Sequence, residues 1–413
     1  MSSNTPADTG ATESGTAVPG GASAAADGSS APAAHTAPAA HTAPGEIRWQ
    51  TGETEHTARW HSEGGWPAPR RVVVVDDTLT ADAAYRMAKS GTGLLWQGDY
   101  RNARQLLTAM ARRVDRHRRT PTTGMAAAFE AGRAAAVRRA RLLGLVLVEL
   151  DAEHTLRLRR APDVRQACDE AYGPGAGPVV LSLRELLGVI GAHEWRTNGV
   201  PVAALGDRIH PHYGVFSPVR GEYLDLVAGA PLGSPKVAFD IGTGTGVIAA
   251  ILARRGVERV LATDLEPRAL ACARENLERL GLAGQVEVIE ADLFPDGRAD
   301  LVACNPPWLP SSVATSTDAA VYDPDSRMLR GFLAGLAAHL TEDGEGWLIL
   351  SNLGELLGLR SRGELLDLVD DAGLTVLARL DTRPTHRKAA DATDPLHAAR
   401  AAEVTSLWRL RRA

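Results

Sequence analysis

The chain has 413 residues, with 45 lysines and arginines against 50 aspartates and glutamates and a formal net charge of −5. Hydrophobic residues make up 44% and charged residues 23%, a composition typical of globular proteins that excludes a fibrous or wholly disordered chain. No apolar run reaches the roughly 18 residues of a membrane span, and no lysine or arginine precedes Arg48. We therefore expect no membrane anchor and no signal peptide, and we predict a cytoplasmic protein.

Residues 1–45 form a tail of alanine, proline, serine, threonine and glycine that contains a short Ala-Pro-Ala-Ala-His-Thr repeat. Such a segment cannot bury enough apolar surface to offset the entropy of ordering it, so we predict that it is disordered. The three cysteines have no paired spacing. Neither a disulfide framework nor a metal site is expected.

Residues 46–208 are predicted to form a smaller α+β domain that serves in recognition. An apolar strand at 72–75 precedes a helix that Thr80 caps, and an amphipathic helix follows at 101–119. Further predicted elements are a helix at 125–143, a hairpin made of 145–150 and 155–159, and a helix that Ser182 caps.

Residues 70–160 contain 18 basic and 9 acidic side chains, a net charge of +9 within a chain whose total is negative. One interpretation is a surface for nucleic acid or another anion, because clustered cations release condensed counterions when they meet phosphates. The other is a solvated helix face in a protein biased towards arginine, since no aromatic side chains are interleaved for base stacking.

Residues 209–413 alternate short apolar strands with helix-period segments. This alternation predicts an α/β fold, a doubly wound, Rossmann-like and mostly parallel seven-stranded sheet with an antiparallel C-terminal edge strand. The predicted strands are 236–240, 259–263, 285–289, 300–304, 346–350, 374–380 and 404–410.

A glycine-rich turn follows the first of these strands. It reads Asp240-Ile-Gly-Thr-Gly-Thr-Gly and contains Gly242, Thr243, Gly244 and Gly246. Glycines let the backbone turn tightly and approach a ligand, and the helix that follows offers unpaired N–H groups. The spacing is tighter than that of dinucleotide-binding loops, which argues against NAD or FAD.

Acidic residues end the next two strands. Asp264 could accept both hydroxyls of an adenosine ribose. After the third strand, Asp292 could accept from an adenine amino group while Leu293 packs on the ring. Each alone could be a helix cap, but their order along consecutive strands favours a nucleoside-containing ligand.

The fourth strand ends in Asn305-Pro306-Pro307-Trp308. With the glycine turn, this motif resembles the class I S-adenosylmethionine-dependent methyltransferases that carry N-P-P followed by Tyr, Phe or Trp. These include enzymes that methylate adenine and guanine amino groups in DNA and RNA, and the HemK-like glutamine methyltransferases of release factors. The resemblance covers roughly half of the chain.

The resemblance implies that S-adenosylmethionine binds along Asp240, the glycine turn with Thr243, Asp264, Asp292 and Leu293. Residues 213–219 resemble the segment that covers this cofactor, which adds Phe216 to the expected contacts. Residues 321–327 loosely resemble the HemK-like stretch after the motif but lack its usual glycine pair. That departure counts against a release-factor substrate.

The chemistry of the motif can be stated without the family. An exocyclic amine or carboxamide nitrogen is a poor nucleophile because its lone pair is delocalised. If the Asn305 oxygen and the Pro306 carbonyl each accept a hydrogen bond from that nitrogen, its lone pair turns towards the methyl donor. Pro306 and Pro307 fix the backbone, and Trp308 would stack on a planar target. A Pro-Pro turn with a core Trp is the structural alternative.

We therefore predict an N-methyltransferase that acts on an amino or amide nitrogen of a macromolecule, with RNA slightly ahead of a glutamine in a translation protein. A small-molecule methyltransferase of secondary metabolism is the alternative within the same fold. A binding protein that retains the fold without catalysis is a third hypothesis, against which the complete motif set argues. The sequence predicts no oligomeric state.

Overall fold

The computed structural model describes residues 45–116, 124–218, 221–311, 321–384, 391 and 394–413. Apart from Gly45, the predicted disordered tail lies outside these residues. The described chain forms two large sheets flanked by helices, which confirms the α/β class. None of the described helices is long and apolar enough to cross a membrane.

The first sheet has six strands and a mixed arrangement. Its strands are β1 (Glu46–Thr51), β2 (Thr54–Trp60), β3 (Arg71–Val75), β4 (Thr92–Trp96), β5 (Val146–Leu150) and β6 (Val179–Ser182), in the order β1-β2-β6-β5-β4-β3. β3, β4 and β5 are parallel neighbours, whereas β1 pairs with β2 and β5 with β6 in antiparallel fashion. β1, β2 and β6 were not predicted from the sequence.

The helices around this sheet are α1 (Ala81–Lys89), α2 (Tyr100–Arg116), α3 (Met125–Leu143), α4 (Arg165–Tyr172) and α5 (Leu183–Asn198). The Thr80 hydroxyl accepts from the N–H of Ala83, and Ser182 accepts from the N–H of Arg184, so both predicted caps are confirmed. α2 buries the predicted stripe that contains Leu106 and Met110. The bounds of α3 agree with the prediction.

The hairpin predicted from residues 145–150 and 155–159 is wrong. β5 pairs with β4 and β6 instead, and a single bridge between Leu150 and Leu156 remains of the expected pairing. The Asp151 carboxylate accepts from the N–H groups of Glu153 and Thr155 and closes a tight turn. The mostly apolar strands β4 and β6 offer β5 more buried surface than the charged stretch 155–159 could, so they pair with its two edges.

A short connection leads to the second sheet. It contains β7 (Val200–Val202), β8 (Asp207–Ile209) and α6 (Glu222–Gly229). The strands of the second sheet are β9 (Val237–Ile241), β10 (Arg259–Asp264), β11 (Val286–Glu290), β12 (Ala299–Cys304), β13 (Leu340–Ser351), β14 (Leu374–Thr382) and β15 (Thr405–Arg412). Their helices are α7 (Val247–Arg254), α8 (Pro267–Arg279), α9 (Arg327–His339), α10 (Leu353–Leu356), α11 (Arg362–Asp371) and α12 (His397–Ala401).

The order of the second sheet is β11-β10-β9-β12-β13-β15-β14. The first five strands are parallel, and β15 is antiparallel to both of its neighbours. The C-terminal strand was expected at the edge, but it lies one place inside, because β14 occupies the edge. Apolar side chains from both faces form two cores, one around Ile248 and Trp347 and the other around Phe239 and Phe332. Because both faces of the sheet are buried, we expect polar side chains to meet a ligand at the ends of its strands.

Candidate active site

The glycine turn lies between β9 and α7, at the carboxyl end of the central strands. Gly242, Gly244 and Gly246 all have positive φ, at 69°, 56° and 79°. A Cβ at Gly244 would meet no atom within 4 Å, so the backbone here is open to a ligand. Gly246 is the N-cap of α7 and provides no side-chain cap for its N–H groups.

The carboxylate of Asp240 stabilises this turn through two hydrogen bonds. Its Oδ2 accepts from Thr243 Oγ1 at 2.6 Å and from the N–H of Ala249 at 3.0 Å. Thr243 is therefore turned inward and is 5% exposed. Asp240 Oδ1 is buried and has no hydrogen-bond partner among the residues that the structure describes. Burial raises the pKa of this carboxyl to about 6.

Asp264 ends β10 beside the glycine turn. Its Oδ2 accepts from the N–H of Gly244 and its Oδ1 from the N–H of Glu266, both at 3.0 Å. Each carboxylate oxygen retains a lone pair for a further donor. The next residue, Leu265, is 47% exposed, which is high for a large apolar side chain and marks a surface that an apolar ring could cover. The sequence analysis did not single out Leu265, although its place after an acidic strand end was a usable signal.

Asp292 and Leu293 follow β11 as expected but face different surroundings. Asp292 is exposed and forms an ion pair with Arg327 at 3.1 Å. Leu293 has φ 71°, which is uncommon for a residue other than glycine, asparagine or aspartate, and its carbonyl accepts from Thr263 Oγ1 at 2.6 Å. Its side chain packs against the core near Gly331. The two residues lie at the predicted strand end, and Leu293 is held there by its backbone.

The Asn305 motif lies directly beside the glycine turn. β12 pairs with β9 in parallel, and Cys304 is in register with Ile241, so Asn305 and Gly242 leave adjacent strands at the same level. Pro306 is buried, and Pro307 and Trp308 are half-buried. Trp308 Nε1 donates to Asn305 Oδ1 at 2.9 Å. The oxygen expected to accept from a substrate thus already has one donor from its own motif.

Tyr223, near the start of α6, is a site residue that the sequence analysis missed. Tyr223 is 4% exposed, and the Asn305 side chain is near enough to influence its hydroxyl. Burial, and then the nearby carboxylate of Asp240, raise the pKa of this hydroxyl above its ordinary value. No local pattern marks Tyr223, because α6 and the Asn305 motif are distant in sequence.

The chain after the motif folds back on it. The N–H of Leu309 donates to the carbonyl of Val321, and the N–H of Asp323 donates to the carbonyl of Leu309. The buried Asp323 carboxylate then accepts from the N–H groups of Met328 and Leu329 at the start of α9. Burial raises the pKa of Asp323. Asp323 therefore acts as a cap that anchors the loop behind the motif.

The residues just before the segment predicted to cover a cofactor (213–219) are attached to α8. The N–H of His210 donates to Asn276 Oδ1 at 2.7 Å, and His212 Nε2 lies 2.8 Å from Glu275 Oε2. Burial, followed by the charge of Arg196, lowers the pKa of His212. Phe216 lies within the predicted segment and is half-buried. In the described parts of the chain, no group of three His, Cys, Asp or Glu side chains is placed to hold a metal ion.

A helix of the first sheet contacts the loop behind the motif. Arg133 of α3 is 3% exposed, and its guanidinium lies 4.3 Å from the centre of the Tyr322 ring. Phe129 of the same helix belongs to a small apolar cluster with Leu309. The recognition domain predicted for residues 46–208 therefore borders the site directly.

The arginines of the basic region divide into two groups. Several pair with aspartates of the same region, as Arg113–Asp82, Arg139–Asp115, Arg157–Asp151, Arg159–Asp77 and Arg160–Asp99. Arg101, Arg104, Arg112 and Arg116 are exposed on α2. Ion pairing thus occupies part of the basic region, whereas α2 keeps four exposed arginines without an ion pair among the described contacts.

Comparisons with known proteins agree with the geometry. Residues 226–355 match the family model described as methyltransferase small domain. The release factor glutamine methyltransferase of Cereibacter sphaeroides is 35% identical over 173 residues, which are 37% of this chain and 59% of that protein. The tRNA1(Val) (adenine(37)-N6)-methyltransferase of Shewanella loihica is 27% identical over 183 residues, which are 42% of this chain and 72% of that protein.

A third relative matches a shorter stretch. The ribosomal protein L11 methyltransferase of Pelotomaculum thermopropionicum is 48% identical over 69 residues, which are 16% of this chain and 22% of that protein. The chain thus spans less than two thirds of the length of the L11 and release-factor relatives.

Proposed function

We infer from the methyltransferase small domain in residues 226–355 that this chain is an S-adenosylmethionine-dependent N-methyltransferase. The observation that carries the proposal is the pairing of β9 with β12, since it brings the glycine turn and Asn305 to adjacent strand ends. A methyl donor bound at one strand end and an acceptor nitrogen at the next would lie within reach of each other.

The residues present fit the cofactor. Asp264 at the end of β10 retains lone pairs for ribose hydroxyls, and the exposed Leu265 offers an apolar surface for the adenine ring. The unpartnered Oδ1 of Asp240 could accept from a cationic group above the glycine turn. S-adenosylmethionine, when bound, supplies an electrophilic methyl group on a sulfonium. We propose that Phe216, Asp292 and Leu293 complete this site.

Catalysis would then depend on orientation and dipole placement. Asn305 Oδ1 accepts from Trp308 and retains one lone pair, which can accept from the NH2 group of a substrate. The Pro306 carbonyl would accept the second hydrogen. Both bonds turn the nitrogen lone pair away from its conjugated system, and no strong base is required.

The acceptor is proposed to be a nitrogen of a macromolecule, either an RNA base or a glutamine. The relatives named for release factors and for tRNA match 37% and 42% of this chain. We favour RNA, because the exposed arginines of α2 lie in the part of the chain that borders the site through α3. Their charge would contact phosphates without reading the sequence.

Two measurements test the proposal. Isothermal titration of S-adenosylmethionine should give binding to the native chain and a loss of about tenfold or more in Asp264→Ala, since a charge-assisted hydrogen bond is lost. Asp343→Ala, an exposed aspartate of β13, is the matched control. Equal affinity in all three proteins would overturn the cofactor assignment.

Labelled cofactor and fractionated cell extract then identify the acceptor. Label in RNA, together with RNA binding that weakens steeply as salt rises, supports the favoured acceptor. Label in protein selects the glutamine, and label only in small molecules selects the metabolite alternative.

A further inference from the structure

Arg360, between α10 and α11, is a buried cation whose donors are left unused. The residue is 5% exposed, and its Nε and Nη2 are enclosed without a hydrogen-bond partner within the described ranges of the chain. Arginine stays charged in proteins, and a buried charge is costly unless it is paired. Burial accordingly lowers the pKa of this guanidinium. Arg360 therefore has donors available for an anion.

The carboxylates of the same stretch of chain are already paired with other arginines. Glu355 accepts from Arg362 Nε at 2.9 Å, and Glu364 lies 2.7 Å from Arg330 Nη2. These arginines lie at the surface with their partners, whereas Arg360 is enclosed without one. An anion for Arg360 would then have to come from outside the chain.

The local fold places Arg360 beside the acceptor motif. The N–H groups of Leu359 and Arg360 both donate to the Gly354 carbonyl, at 2.8 and 3.4 Å, and turn the chain back over α10. A Cβ at Gly354 would lie 3.7 Å from Arg360 Nη2 and 3.5 Å from the Trp308 carbonyl oxygen. The guanidinium and the end of the Asn305 motif thus border the same buried glycine.

The order of the strands gives the direction from cofactor to Arg360. β9, β12 and β13 are parallel neighbours, and their carboxyl ends lead to the glycine turn, to Asn305 and to the segment with Arg360. Asn305 therefore lies between the proposed cofactor site and Arg360. An acceptor whose amino group is held at Asn305 can extend away from the methyl donor towards Arg360.

We propose that Arg360 binds a phosphate of the acceptor RNA while the amino group of the methylated base is held at Asn305. The proposal rests on the methyl-transfer function inferred above and deepens it by assigning a phosphate subsite. A guanidinium fork matches a phosphate and can form two charge-assisted hydrogen bonds with it. The carboxamide of a glutamine is neutral and offers no such group.

Arg360→Met replaces the buried cation with an apolar side chain of similar length. Because no hydrogen bond is lost, the urea midpoint of the full chain should stay at the native value or rise. Arg362→Met is the matched control, because it leaves Glu355, whose side chain is 16% exposed, without its partner and should lower the midpoint. A midpoint lowered as much in Arg360→Met as in Arg362→Met would assign Arg360 to stability and overturn the proposal.

Inorganic phosphate tests the subsite without methyl transfer and therefore separates this proposal from the proposed function. Thermal midpoints are compared in phosphate and in chloride at equal ionic strength. Phosphate should raise the midpoint by about 1 °C or more in the native chain and in Arg101→Met, an exposed arginine of α2, and should not raise it in Arg360→Met. An equal rise in all three proteins would overturn the proposal.

Kinetics with the acceptor RNA test the same residue during turnover. In Arg360→Met, KM for the RNA should rise about tenfold or more, while kcat and cofactor affinity change less than twofold, because a charge-assisted contact with the acceptor is lost. An unchanged KM for the RNA would overturn the proposal. A protein acceptor whose KM rises in Arg360→Met would show that Arg360 binds a carboxylate, and the phosphate assignment would fail.

Discussion

Arg268 Nη1 donates to the Glu63 carboxylate at 2.6 Å, and this contact joins the two sheets. Glu63 follows β2 of the first sheet, whereas Arg268 lies in α8, one turn beyond Asp264. Arg268 also donates to the Ala171 carbonyl and lies 5.5 Å from the centre of the Tyr213 ring. The first sheet is therefore bonded to the helix that follows the proposed ribose carboxylate.

Glu63→Gln should lower the free energy of unfolding by about 1 to 3 kcal/mol, because it removes the charge from a hydrogen bond that lies largely out of solvent. Glu63 is 17% and Arg268 33% exposed in their side chains. Urea denaturation measures the change. Glu287→Gln breaks the pair with Arg259, whose side chains are 55% and 61% exposed, and should cost less than about 1 kcal/mol. Equal losses in both variants would contradict a special role for the Glu63 contact.

Asn305→Ala should retain cofactor affinity and lose turnover by about 10² to 10³, the range seen when one preorganised polar group is removed from a reacting centre. The side chain lies one strand away from the glycine turn, so the cofactor contacts remain. Titration and methyl-transfer rates are measured on the same preparation. Asn198→Ala, an exposed residue at the end of α5, should change neither. Full turnover in Asn305→Ala would rule out the hydrogen-bonding role.

Gly242→Ala should weaken both folding and cofactor binding. Its φ of 69° disfavours any side chain, and a Cβ there would lie 2.5 Å from Met328 Cε. We expect a loss of about 1 to 2 kcal/mol in the free energy of unfolding. Gly132→Ala is the opposite case, because Gly132 lies inside α3 and a methyl group added there would meet no atom within 4 Å. That substitution should stabilise the chain by roughly 0.5 to 1 kcal/mol. Thermal unfolding measures both changes. If the two substitutions both stabilise the chain, or both destabilise it, this distinction is refuted.

Asp240→Asn tests the raised pKa of the buried carboxyl. Its pKa rises from the ordinary 3.8 to about 6, so the folded state holds the proton more tightly than the unfolded state. The contribution of Asp240 to stability is then complete below about pH 4 and is lost as the pH rises through about 6. Asparagine has no such dependence. Urea denaturation at each pH gives the unfolding free energy of the variant minus that of the native chain. This difference should rise by on the order of 3 kcal/mol from pH 4 to pH 7. If this difference in unfolding free energy stays constant from pH 4 to pH 7, the raised pKa of Asp240 is excluded.

Most strands of the second sheet were predictable, because they are apolar runs that end in glycine or acidic residues. Their carboxyl ends carry Asp264 and Asn305 where parallel strands must bring them together. The turn at Asp240 could be predicted for the same reason. These features could therefore be predicted from the local sequence pattern alone.

Other features depend on contacts between distant segments. Whether residues 155–159 pair with β5 is decided by β6, whose apolar residues compete for the same edge. The bond between Trp308 and Asn305 was missed although the residues are neighbours, because the orientation of an indole depends on the core around it. Tyr223 was missed because the burial of a side chain is a property of the assembled fold, whereas Leu265 was missed although its place after an acidic strand end was a usable signal.

The position of β15 between β13 and β14 also bears on biosynthesis. Among the described strands, β14 is hydrogen-bonded to β15 alone, and β15 also covers the open edge of β13. A nascent chain that has released β14 from the ribosome still has an unpaired edge on β13 until residues 405–412 follow. Unpaired strand edges attract other chains, so the edge of β13 is a site of possible aggregation until residues 405–412 are made.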